Sequence, residues 1–216
     1  MTASVTRRSL ARSAAGLGLS FVGACQLSSG CRAQANSKPT TYVVFQAGVN
    51  MQTINQLLRA MVQIQTDEVC LIISTSGGEV QAGILGYNFL RSLAKRLTTH
   101  NISNIDSIGN ALFLAGEQRF ASAHATFMFH GVGNQVQSGT VLSANNLSEF
   151  LGAMRADEKR IGNIIRERTK LTSEEISKFF QEAKTMDATE AMNEGLVSGI
   201  AELRVPVGAS TIVVGP

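Results

Sequence analysis

Acidic side chains are absent from the first 35 residues, and that absence changes the meaning of the formal charge of +3. Arg7, Arg8, Arg12 and Arg32 all fall in this stretch, leaving 15 basic against 16 acidic side chains in the rest of the chain. No basic patch remains to argue for nucleic acid as a partner. Cysteine is scarce too. Of three, Cys25 and Cys31 lie in the same leading stretch, and only Cys70 remains beyond it, inside the apolar run Val69-Cys70-Leu71-Ile72-Ile73. A lone cysteine in such a run reads as packing, and once the leading stretch is removed it has no intrachain disulfide partner. Metal-ligand spacings such as His-Glu-x-x-His are missing, and His100 and His124 have no neighbours at ligand distance in sequence. Neither a metal nor a cofactor is expected. Three prolines and 44% hydrophobic residues in 216 are ordinary for a globular chain with a real core, which argues against disorder.

The leading stretch reads as an export signal. Thr6-Arg7-Arg8-Ser9-Leu10 resembles a twin-arginine motif, Ala14 to Ala24 is a short apolar segment, and Ala33-Gln34-Ala35 is a small-x-small cleavage site. The expectation is a signal over residues 1–35, a mature domain over 36–216 that begins at Asn36, and a periplasmic location. The apolar segment is too short to span a bilayer as a helix. A variant stays open in Val22-Gly23-Ala24-Cys25, which loosely resembles a lipoprotein cleavage site and would leave Cys25 lipid-bearing. If the signal is not used, the location is cytoplasmic.

Beyond it, strand and helix patterns alternate. Tyr42-Val43-Val44-Phe45 predicts a short strand; Ile54, Leu57, Leu58, Met61 and Val62 fall at helical spacing. Val69 to Ile73 predicts a fully apolar strand, followed by Ser74-Thr75-Ser76-Gly77-Gly78 and a helix through Val80, Ile84, Tyr87 and Leu90, with Gly83 and Gly86 where close packing is needed. Leu97 to Ile102 predicts a third strand. The pattern is that of repeated β-α units around a largely parallel sheet, with site residues at the C-terminal ends of strands.

Two residues focus the chemistry. Ser107 stands where a strand hands over to the apolar helix Ala111-Leu112-Phe113-Leu114-Ala115, beside N–H groups that a helix start leaves unpaired. His130 ends the apolar segment Ala125-Thr126-Phe127-Met128-Phe129 and offers the base a serine nucleophile needs. Each has a plainer meaning alone: a serine at a helix start caps it, and a histidine after a buried strand packs there. Glycines at a strand-to-helix turn serve a positive φ in one reading and a substrate-facing N–H in another.

Four segments in order carry a family resemblance. Thr75-Ser76-Gly77-Gly78-Glu79-Val80-Gln81-Ala82-Gly83 resembles the Ser-Pro-Gly-Gly-x-x-x-Ala-Gly signature of the Clp protease proteolytic subunit, the peptidase whose barrels partner ATP-driven unfoldases. Asn104-Ile105-Asp106-Ser107-Ile108-Gly109 is similar to that family's nucleophile turn, Thr126-Phe127-Met128-Phe129-His130 to its histidine strand, and Ala188-Thr189-Glu190-Ala191-Met192-Asn193-Glu194-Gly195-Leu196-Val197 to its closing helix. The resemblance covers about residues 42 to 203. It implies an α/β fold, a Clp/crotonase-like spiral of repeated β-β-α units with a projecting handle helix, here about Asn146 to Arg168 with apolar Phe150, Met154, Ile161, Ile164 and Ile165. It further implies a serine endopeptidase acting on peptides or unfolded segments as a ring-forming homo-oligomer, with Ser107 as nucleophile, His130 as base, and the N–H groups of Gly78 and Ile108 as oxyanion hole. Thr172-Ser173-Glu174-Glu175 is a capping box with a structural role.

The chain departs from the family in two places. The catalytic aspartate falls on Ala183; Glu182 is the candidate substitute, Asp187 is another acid nearby, and Asp106 is aimed away by alternation. A dyad, a water-assisted histidine and an inactive peptide-binding or assembly relative all stay open. Only Asn36 to Thr41 would precede Tyr42 after cleavage, too little for pore loops, so an ATPase partner is not expected. Crotonase-like acyl-CoA enzymes share the architecture and would use Gly78 and Ile108 on a thioester. Related signal peptide peptidases use a Ser-Lys pair, which folding could still assemble here.

Overall fold

The computed structural model describes residues 39–215, so the export-signal reading, with Arg7, Arg8, Cys25 and Ala35, lies outside the described residues. The chain runs β1 (Thr40–Gln46), α1 (Met51–Gln63), β2 (Glu68–Thr75), α2 (Val80–Ser92), β3 (Arg96–Asp106), α3 (Gly109–Leu114), β4 (Gln118–Ala121), β5 (Thr126–Met128). It continues with α4 (Ala144–Arg168), α5 (Ser173–Glu182), β6 (Thr185–Asp187), α6 (Ala188–Asn193), β7 (Gly199–Ile200) and β8 (Thr211–Val214).

The strands form one sheet in the order β6-β5-β3-β2-β1-β8, with β4 pairing β3 and β7. Only the β5·β6 pair is antiparallel. Strand β2 carries Val69, Leu71, Ile72 and Ile73, all buried, which is the continuous apolar pattern a strand covered on both faces requires. Strand β3 runs to Asp106, longer than Leu97 to Ile102. Its first half, Thr98 to Asn101, pairs with β4, and its last residues, Asn104 to Asp106, pair with β5. The stretch beyond residue 205 is not a free tail: β8 joins the sheet in parallel beside β1, Tyr42 to Phe45 facing Thr211 to Val214.

Helix α1 buries Ile54, Leu57, Ala60 and Met61, while Val62, expected on the same face, is 63% exposed. The buried stripe is displaced toward Ala60, and successive residues rotate by about 100°, which carries Val62 off it. On α2, a Cβ at Gly83 would strike the Ile108 side chain and one at Gly86 would lie 2.5 Å from Leu112, so these glycines let α2 approach α3. Phe113 and Phe127 meet at a centroid separation of 5.0 Å beneath the sheet end. Each such buried aromatic contributes on the order of 2–3 kcal/mol.

Capping boxes open four helices: Asn50 with Thr53, Ser143 with Asn146, Thr172 with Glu175, and Asp187 with Glu190. At the far end of α3, where Ala115 is the C-cap, two guanidiniums take up further carbonyls. Arg168 donates to the carbonyls of Leu114 and Gly116, and Arg119 to those of Gly116, Leu196, Gly195 and Arg168. Burial first, then the neighbouring Arg168 and Arg91, pull the Arg119 guanidinium below its ordinary range.

Helix α4 divides along its length. Ile161, Ile164 and Ile165 are buried against the body, whereas residues 144–153 are all exposed, among them Leu147, Phe150 and Leu151. The amphipathic C-terminal part packs, and the N-terminal part projects.

Candidate active site

Register brings the candidate residues to one edge. Thr75 faces Ile105 across β2·β3, and Asp106 faces Met128 across β3·β5, so Gly77-Gly78, Ser107 and His130 all follow the C-terminal ends of neighbouring parallel strands. Strand β5 ends at Met128, two residues before His130, not at the histidine itself. The Phe129 N–H extends the β5·β6 register by donating to the Lys184 carbonyl, and Gly131 donates to the Phe180 carbonyl, both at 2.8–2.9 Å.

Ser107 is not a helix cap. It sits at φ 55°, a left-handed conformation that costs a non-glycine residue on the order of 1 kcal/mol, and Ile108 takes the cap position. Such a turn lifts the hydroxyl out at the top of the sheet, the arrangement of strained nucleophile turns in other hydrolases. Three contacts hold it. The Ser107 N–H donates to the Met128 carbonyl at 2.8 Å; the Asn110 amide donates to the carbonyls of Ser107 (3.0 Å) and Met128 (2.9 Å); and Gly77 packs so close that a Cβ there would lie 2.7 Å from the Ser107 Cβ. Asn110 is fully buried, and its Oδ1 is the single buried side-chain polar atom without a partner among the described residues.

At Gly77 and Gly78 the backbone requires glycine. Their φ values are 81° and 148°, in the region favouring glycine, and a Cβ on Gly78 would fall on the Val49 carbonyl. Val49 donates to the Gly77 carbonyl and accepts from the Glu79 N–H, which by strand alternation turns the Gly78 N–H to the opposite side. Among the described residues, neither the Gly78 nor the Ile108 N–H has a protein acceptor.

Gly78, Ser107, Ile108 and His130 line one small cleft of about 80 Å³. Its remaining walls are Val80, Phe129, Val132, Gly133, Ile161 from α4 and Phe180 from α5. No lysine lines it, which leaves the Ser-Lys pairing without a candidate here. The imidazole is exposed, and its Nδ1 lies 2.7 Å from the Gly131 carbonyl oxygen. A carbonyl can only accept, so in the neutral ring the proton sits on Nδ1 and Nε2 is the nitrogen able to accept. Ser107 and His130 share the cleft without a direct hydrogen bond.

The acids are elsewhere. Glu182, the candidate substitute, is the last residue of α5, more than half exposed, and lies 4.0 Å from Lys178; it does not line the cleft. Asp187 caps α6, accepting from the N–H groups of Thr189 and Glu190 at 2.8 Å. Asp106 accepts from the Asn104 amide at 2.7 Å. Ala183 terminates α5 at φ 51°. The residues that sequence reasoning did not single out are Asn110, Gly131 and Glu158; a lone amide in the apolar run after Ser107 was the signal for Asn110. His100 is buried beside Phe120, 3.4 Å from the Ser122 hydroxyl, and has no part in the cleft.

Comparison with known proteins gives a consistent answer. A family model described as Clp protease matches residues 41–204. The ATP-dependent Clp protease proteolytic subunit 2 of Corynebacterium glutamicum is 28% identical over 150 residues, 68% of this chain and 73% of that protein. The ATP-dependent Clp protease proteolytic subunit of Pinus contorta is 27% identical over 160 residues, 71% of this chain and 77% of that one. Among solved structures, a point mutant of ClpP1 from Listeria monocytogenes superposes with a TM-score of 0.67 at 21% identity, covering 76% of this chain and 92% of the other.

Proposed function

This chain belongs to the Clp protease family, and we propose that it is a serine endopeptidase that cleaves peptide bonds through an acyl-enzyme on Ser107. The observation that carries the reading is the convergence of Ser107, His130, Gly78 and Ile108 on one cleft, with the His130 Nδ1 held by the Gly131 carbonyl so that Nε2 is the accepting nitrogen of the neutral ring. His130 takes the hydroxyl proton as Ser107 attacks the scissile carbonyl. The unpartnered N–H groups of Gly78 and Ile108 receive the oxyanion, and His130 returns the proton to the leaving amine. Water then repeats the sequence and frees the serine. The apolar walls formed by Val80, Ile161 and Phe180 suit an apolar substrate side chain next to the cleaved bond.

The enzyme works as a homo-oligomeric ring, with the projecting, apolar N-terminal part of α4 in the contacts, on peptides or unfolded segments. It acts after export and without an ATPase; the acid-free leading stretch with its paired arginines supports this part of the proposal. Isolation of a stable, stimulating complex with a motor ATPase would sink it.

The test of the chemistry is labelling of the purified protein with a fluorophosphonate probe. Labelling that is abolished in Ser107→Ala and falls sharply in His130→Ala is expected. An intact, folded protein that does not label would instead favour a peptide-binding relative, the reading that Ala183 in the family's acid position supports.

A further inference from the structure

A carboxylate stands within one peptide group of the histidine, just outside the cleft, and it comes from α4. Glu158 of α4 accepts the Val132 N–H through Oε1 at 3.1 Å. The carbonyl of Gly131 belongs to the same peptide group as that N–H, and it accepts the His130 Nδ1–H at 2.7 Å. We infer that Glu158 is the positioning residue for His130, acting through the Gly131-Val132 peptide in place of the missing aspartate; this rests on the Ser107–His130 reading above.

The physical basis is the resonance of the amide. Its N–H and C=O share one delocalised system, so a carboxylate that draws on the N–H increases the charge on the oxygen. Hydrogen bonds in such a chain strengthen one another, and a charged member strengthens them most. The strengthened oxygen fixes the proton on Nδ1, which keeps Nε2 free to accept from Ser107. It also favours the imidazolium that forms when Nε2 does so. Glu158 takes up no proton in this scheme.

Local packing is arranged for that contact. A Cβ on Gly131 would lie 2.8 Å from the Glu158 oxygen, so a side chain there would push the carboxylate away. The Gly131 N–H, in the preceding peptide group, is held by the Phe180 carbonyl, which anchors the segment on its His130 side. Other charges around His130 are engaged: Lys184 with Glu190, Glu182 with Lys178, and Asp106 with Asn104. Arg155 and Lys159, next to Glu158 on α4, line a separate cavity with it.

Glu158→Gln separates charge from scaffolding, because its amide oxygen still accepts the Val132 N–H. The readout is the pair of ring-nitrogen chemical shifts of His130 in the full chain labelled with nitrogen-15 histidine, assigned by His130→Asn, at a pH where the ring is neutral. The expected result is a fall in the Nδ1–H tautomer population in Glu158→Gln. Peptidase turnover falls about tenfold with KM unchanged, the difference between a charged and a neutral acceptor. A tautomer population equal to that of the parent overturns the inference. The shifts are read without turnover, so a protein that fails to label at Ser107 yet shows the tautomer change keeps the relay and loses the hydrolytic reading.

Discussion

The side-chain amide of Asn110 donates to the backbone carbonyl of Met128 at 2.9 Å, tying the start of α3 to the strand that leads to His130. The same amide holds the Ser107 carbonyl at 3.0 Å, so one buried side chain ties Ser107 to the strand that leads to His130. Met128 keeps a second donor in the Ser107 N–H and Ser107 keeps one in the Asn110 N–H, so truncation strands neither carbonyl. It also removes the Asn110 Oδ1, which has no partner. Asn110→Ala is therefore expected to cost only about 1 kcal/mol of stability, measured by urea unfolding. The rate of fluorophosphonate labelling should fall by at least about tenfold, because small misplacement of a nucleophile is expensive. Equal labelling rates for the variant and the parent would show that this tie does not position the nucleophile.

Much of this arrangement was legible in the sequence, and the gaps have physical causes. The continuous apolar run of β2 and the spacing of Ile54, Leu57 and Met61 identified their elements because burial on both faces, or on one helical stripe, leaves those patterns. The Ser107 turn and the Gly77-Gly78 approach were visible as a small polar residue and glycines at strand ends. The end of β5 was not visible, because Phe129 is as buried as Phe127 while the pairing with β3 stops at Met128. Apolarity reports burial and does not mark where a ladder ends. Glu158 was hidden for the opposite reason. It stands in Asp157-Glu158-Lys159-Arg160, a run of charge that reads as a solvated helix face, and only tertiary packing aims one carboxylate at the Val132 N–H.

His100 makes stability depend on pH. Burial, the larger effect, lowers its pKa below the ordinary 6.5, and a weaker interaction with the Ala201 backbone acts in the other direction. The unfolded chain therefore binds this proton more readily than the folded one. The fold is at full strength with respect to His100 above pH 6.5 and weakens as pH falls from there toward the folded value. Carboxylates also titrate in acid, so the informative quantity is a difference between proteins. Between pH 7.5 and pH 5.5, His100→Gln is expected to lose less in Tm than the parent, whatever its absolute stability. Parallel Tm curves for the two would contradict the assignment.

Ala183 offers the converse experiment to removing Glu158. The segment that contains it is strapped to the histidine segment on both sides, by Phe129 N–H to Lys184 and Gly131 N–H to Phe180. A carboxylate at position 183 would thus enter beside His130. The backbone there is left-handed, at φ 51°, which an aspartate tolerates better than an alanine does, so Ala183→Asp should fold without added strain. A direct acid partner in the Ser-His-Asp template is worth roughly 10⁴ in rate, and a relay through one peptide group delivers only part of that. Ala183→Asp is expected to raise peptidase turnover by about tenfold or more, and to make turnover less sensitive to Glu158→Gln when the two changes are combined. Both effects follow from two acids serving one imidazole, which is a coupling that a double-mutant cycle measures directly. Additive behaviour of Ala183→Asp and Glu158→Gln would mean that the two carboxylates do not act on the same group.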